Sequence, residues 1–158
     1  NQGTVGQPSF EWQGQRIAPN ICYEDLFGEE LAARFADPAQ APTVLVNFSN
    51  IGWFGNTLAV DQHLQISRMR ALELERPMVR ATNTGATVII DHRGVVTHAL
   101  ERFSRGVLRG EVHGRGLGVS GGAAITPFAW WASRWGLWPL WLLAGLGVAA
   151  GWLGRRRR

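Results

Sequence analysis

Ile17-Ala18-Pro19-Asn20-Ile21-Cys22-Tyr23-Glu24-Asp25 is a short apolar run that ends in a thiol followed by acids. It reads as a strand over residues 16–22 with Cys22 at its mouth and Glu24 two positions on. A thiol so placed, beside a carboxylate, is a candidate nucleophile. A lone cysteine serves equally as a small buried hydrophobe, and the residue types alone leave both readings open. Cys22 is the only cysteine among 158 residues, which excludes an internal disulfide and leaves the redox compartment undetermined.

Outward from this run, Gln13-Gly14-Gln15 predicts the turn of a hairpin leading into the strand. A short helix is expected over residues 28–36, with Glu29 and Glu30 in its first turn where the dipole favours acids and Asp37-Pro38 ending it. Residues 43–48 are β-branched and apolar, the pattern of a strand buried on both faces. They run into the loop Ser49-Asn50-Ile51-Gly52-Trp53-Phe54-Gly55-Asn56. Residues 58–75 predict the longest helix of this part, apolar at Val60, Leu64, Ala71 and Leu74 and closed by Pro77. Strands follow at 78–82, 87–91 and 95–99, the last two joined by His92-Arg93-Gly94, with one more expected at 106–112. This order predicts a layered α/β domain over residues 1–113, followed by a Gly- and Ser-rich linker at 114–127.

All 16 basic residues are Arg, so a mechanism that needs lysine must take it from outside this chain. The net charge of +4 is concentrated at the end: residues 1–133 carry 11 Arg against 12 acids, whereas the last 25 residues hold 5 Arg and no acid. No basic face is implied, and nucleic acid is not an expected partner. Residues 135–153 carry no charge; as a helix rising about 1.5 Å per residue they span close to ~30 Å, the thickness of a bilayer's hydrocarbon core. Trp130, Trp131, Trp135 and Trp138 cluster at one end and Trp152 lies at the other, as interfacial anchors do. A single membrane helix over residues 128–154 is therefore expected, with residues 155–158 a basic cytoplasmic tail and the folded domain on the opposite side. The start at Asn1-Gln2-Gly3 without Met predicts the later part of a longer polypeptide.

The four His share no metal-ligand spacing with one another or with a second Cys, and neither a Gly-rich phosphate loop nor a G-x-S-x-G elbow is present. No metal site and no cofactor are expected. Together, Ile21-Cys22-Tyr23-Glu24, Ser49-Asn50, Gly52-Trp53-Phe54-Gly55, Gln62-His63, Arg68-Met69-Arg70-Ala71-Leu72-Glu73, Arg76-Pro77 and Arg80-Ala81-Thr82-Asn83-Thr84-Gly85 resemble the nitrilase superfamily in content and order. Within it, the Trp-Phe-Gly loop and the apolar carboxy-terminal run are similar to the apolipoprotein N-acyltransferases, although Ile51-Gly52 stands where that family often has Asp-Ala.

The resemblance implies part of an αββα sandwich and a Glu-Lys-Cys triad of which this chain holds Cys22 alone. It implies a phospholipid as acyl donor, a thioester on Cys22, and the α-amine of a diacylglyceryl-modified apolipoprotein as acceptor, at the periplasmic side of a bacterial inner membrane. The Tyr23 backbone N–H is then an oxyanion donor, and Trp53 and Phe54 are either wall of an acyl pocket or core aromatics. Glu24 either acts in the site, on the lysine or the acceptor amine, or hydrogen-bonds its own turn. Other uses of the same chain are an amidase for small amides and a membrane-tethered binding module without catalysis.

Overall fold

The computed structural model describes residues 3–116 and 125–156. Most of the expected linker and the last two arginines lie outside the described residues. A six-stranded mixed sheet follows chain order throughout: β1 (Phe10–Trp12), β2 (Gln15–Ile21), β3 (Val44–Ser49), β4 (Met78–Thr82), β5 (Val88–Ile90) and β6 (Val96–Ala99). β1 and β2 form the expected hairpin through Gln13 and Gly14, both at positive φ as a two-residue turn requires.

The central strands β2, β3 and β4 are parallel, so each crossover needs a covering element. The first is α1 (Gly28–Ala32), extended by a 3-10 turn over Ala33–Phe35; the second is α2 (Leu58–Leu74). α2 stops where Glu75 turns left-handed (φ 53, ψ 41) ahead of Pro77, as the sequence leads one to expect. Its stripe of Val60, Leu64, Ala71 and Leu74 faces the sheet, with Ser67 buried in the same stripe.

A core on one face of the sheet joins Ala18, Leu45, Met78, Val88 and Ile90 to Leu31, Phe35, Ala71 and Leu74. The other face is only partly covered. Val44 and Ile89 are buried there, but Phe48 is 49% exposed and Ile21 55%. The double-sided burial expected of β3 is therefore met along the helical face and, on the other, fades from buried Val44 to exposed Phe48. The strand expected at 106–112 is absent as well. That segment crosses the face of the sheet instead of joining its edge: a β-carbon at Gly110 would lie 2.6 Å from the Ile89 side chain.

The single membrane helix expected at 128–154 is not what forms. Two helices replace it, α3 (Pro127–Trp135) and α4 (Trp138–Arg156), bent by 76°. No single described helix is long and apolar enough to cross a membrane; the bent pair meets that test of length and composition together. The break is at Gly136, whose φ of 52° and ψ of −138° suit only glycine. Thr126 caps α3, accepting from Ala129 N over 3.1 Å, and Pro127 starts it. Ala129 and Ala132 then bury α3 against the core beside α1. Small residues on one face dock this helix, which a reading based on hydropathy alone misses. α4 exposes Leu140, Trp141, Leu143 and Val148 and packs none of them into the core.

Candidate active site

The three parallel strands end at one edge of the sheet, where ligands of open α/β sheets bind. Cys22 is the first residue past β2 and starts a 3-10 turn over Cys22–Leu26 with its own φ at +52°. That backbone costs a residue with a β-carbon about 1–2 kcal/mol and must be held by its surroundings. Two donors hold it: the Cys22 carbonyl accepts from Asn47 Nδ2 over 3.0 Å and from His63 Nε2 over 3.2 Å.

Behind the turn lies a buried polar layer. Asn47 Nδ2 also donates to Asn20 Oδ1 at 2.6 Å, and Ser49 Oγ donates to Asn47 Oδ1 at 2.6 Å. Asp25, fully buried, accepts from His63 Nε2 at 2.9 Å on one oxygen. On the other it accepts from Ser67 Oγ at 2.5 Å and Arg80 Nη1 at 3.3 Å. Burial pushes the Arg80 guanidinium below its usual range, while Asp25 and then Cys22 act to hold it up. The Asp25–Arg80 pair thus balances charge inside the protein, which a buried acid requires.

In front of Cys22 opens a cavity of about 450 Å³, mostly apolar, lined by Cys22, Tyr23, Leu26, Trp53, Phe54 and Ile66 among others. The sequence-derived residues Cys22, Tyr23, Trp53 and Phe54 meet there. Trp53, 83% exposed, and Phe54 stand in a 3-10 turn over Gly52–Phe54 and are not core aromatics. Asn83, past the end of β4, ties this loop down: its Nδ2 donates to Asn50 Oδ1 at 2.7 Å and its Oδ1 accepts from Ile51 N at 3.1 Å.

Glu24 is placed elsewhere. Its carboxylate accepts from Ile21 N at 2.6 Å, capping its own turn, and it lines a separate cavity with Pro19, Ile21 and Arg34. Sequence reasoning missed Asp25, His63, Ser67, Arg80 and Asn47. A signal existed for two of them: Ser67 interrupts the apolar stripe of α2, and Arg80 alternates inward with Met78 on β4.

A mixed sheet with a cysteine-bearing turn at the carboxyl end of a parallel strand is the arrangement of a layered α/β domain with its candidate site at the strand ends. Residues 2–115 match the family model described as carbon-nitrogen hydrolase, and the chain belongs to that family. Among curated proteins it is 79% identical over 137 residues to an apolipoprotein N-acyltransferase of Verminephrobacter eiseniae, covering 87% of this chain and 26% of that one. It is 49% identical to the enzyme of the same name from Ralstonia nicotianae, covering 99% of this chain and 28% of the other. The chain thus spans about a quarter of the length of these relatives. A solved carbon-nitrogen hydrolase from Helicobacter pylori shares the fold, with a TM-score of 0.57 at 13% identity over 68% of this chain and 44% of that one. The expected nitrilase-type fold is borne out; its stacking on a second sheet lies beyond what these residues contain.

Proposed function

We propose that the chain carries the nucleophile of an apolipoprotein N-acyltransferase. The observation that carries this is Cys22, held left-handed at the mouth of an apolar cavity walled by Trp53 and Phe54. The cavity suits an acyl chain better than a small polar amide.

The Cys22 thiolate attacks the ester carbonyl of a phospholipid. The tetrahedral oxyanion is held by the Tyr23 backbone N–H and by a lysine from outside this chain, and collapse expels a lysophospholipid, which takes up a proton. The α-amine of a diacylglyceryl cysteine then attacks the thioester. An amide forms, the amine gives up a proton, and Cys22 returns as thiolate. The general base is likewise supplied from outside this chain. Glu24 fixes the turn through Ile21 N and contributes to the site by shaping it. The bent pair α3–α4 together is the membrane segment, with the basic end of α4 on the cytoplasmic side, consistent with its charge and the flanking Trp residues. The open face of the sheet, with Phe48 and Ile21, packs on the second sheet of the sandwich.

The test is acyl transfer from a fluorescent phospholipid to a diacylglyceryl-cysteine peptide by the protein at its relatives' length in membranes. Transfer is expected, and Cys22→Ala abolishes it. Turnover of short amides without lipid transfer supports an amidase instead, and no turnover of either supports a binding module.

A further inference from the structure

The geometry points to Asp25, His63 and Arg80 as positioning residues, a buried charge-balanced clamp that sets the direction of the Cys22 thiol. The inference rests on Cys22 being the nucleophile and adds a role to Asp25 and Arg80, which lie behind the cavity, and to His63, which borders it.

Cys22 leaves β2 with a left-handed backbone, and its carbonyl falls outside the sheet ladder, which ends at Ile21. Two donors replace the ladder, one from β3 through Asn47 and one from α2 through His63. Asn47 is fixed by Asn20 and Ser49 within the sheet. His63 has no such support on its own helix. Both neighbours of its Nε2, Asp25 Oδ1 and the Cys22 carbonyl, are acceptors, so Nε2 carries the proton. Asp25 fixes the ring, and Ser67, one turn further along α2, together with Arg80 on β4 fixes Asp25. Ser67 in turn contacts Arg80.

The chain of contacts therefore joins β4, α2 and the Cys22 turn, and it ends on the one carbonyl that sets the nucleophile's backbone. Its charges cancel: one buried carboxylate faces one buried guanidinium. A displacement of the thiol on the order of 1 Å can cost a factor of about 100 in rate without changing binding, which is why such a support matters.

The experiment uses the protein at its relatives' length in membranes and measures single-turnover acylation of Cys22 against phospholipid concentration. His63→Leu is expected to lower the saturating rate about 10- to 100-fold, and Ser67→Ala, outside the cavity wall, to lower it with the half-saturating lipid concentration unchanged. His63→Gln, whose amide still donates, is expected to stay within about threefold of wild type. A His63→Leu rate equal to wild type overturns the clamp, as does a His63→Gln rate as low as His63→Leu. Should His63→Leu fail to fold, Ser67→Ala decides: a lowered saturating rate supports the clamp and an unchanged one overturns it. Cys22→Ala separates the two levels. If it leaves acylation intact, the nucleophile reading itself fails; if it abolishes acylation while His63→Leu is unaffected, only the clamp does.

Discussion

The Asn47 side chain reaches across from β3 to donate to the Cys22 carbonyl at 3.0 Å, tying the middle of one parallel strand to the first residue beyond its neighbour. The same amide is bonded to Asn20 at 2.6 Å, so the backbone of the thiol-bearing turn is referenced to the sheet, whose geometry is rigid. Replacing Asn47 by Leu leaves the Cys22 carbonyl, Asn20 and Ser49 short of partners in a buried place. A loss of about 1–3 kcal/mol is expected, read as a lowered midpoint in denaturant unfolding, together with slower acylation.

Trp53 and Phe54 predict the opposite balance. Both are well exposed, so truncation to Ala changes stability by no more than about 0.5 kcal/mol. Each forms part of the cavity wall, so KM for long-chain acyl donors rises, by about tenfold for each ring. A series of donors of decreasing chain length checks this: the penalty shrinks as the chain no longer reaches the rings.

Arg76 predicts a stability effect away from the site. Buried at the end of α2, it donates to the carbonyls of Pro42 at 2.6 Å, Leu74 at 3.3 Å and Glu75 at 3.1 Å, and stacks on the Phe35 ring at 5.3 Å. Burial pushes its guanidinium down to about 10, so it remains charged at neutral pH. Arg76→Ala vacates this volume and strips those carbonyls, with an expected cost of about 2–4 kcal/mol. Thermal unfolding of the variant measures it.

Asp91 predicts a pH dependence. Partial burial acts to raise its carboxyl, but the N–H groups of Val95 and Arg93 outweigh that and hold it below the usual carboxylate value of about 3.9. A depressed acid stabilises the fold above its unfolded pKa and loses that contribution as pH falls through the folded one. Asp91→Ala is therefore less stable than wild type at neutral pH, and the gap closes below about pH 4. Unfolding midpoints of both proteins between neutral and acid pH check the sign.

Where periodicity and turn chemistry agreed, the fold could be read in advance: Gln13-Gly14 made the hairpin, Pro77 ended α2, and Asp91 to Gly94 turned β5 into β6. The carboxy-terminal run was misread because its missing charges look the same along a straight helix and along a bent one. The bend depends on one backbone state at Gly136 and on two alanines small enough to dock α3. Gly106 to Val112 had strand-like composition but no free edge to pair with on the face it crosses. Within the site, Cys22, Tyr23, Trp53 and Phe54 were legible because they border one another in two short motifs. Asp25, His63 and Arg80 were not, since their meaning arises only when β4, α2 and the 3-10 turn converge.

The most direct measurement is mass spectrometry of the protein at its relatives' length after brief exposure to phospholipid in membranes, before any acceptor is added. A thioester-linked acyl group on the peptide containing Cys22, removed by hydroxylamine and absent from Cys22→Ala, is the predicted result. Acylation that persists in Cys22→Ala, or lands on another residue, contradicts the assignment of Cys22 as nucleophile.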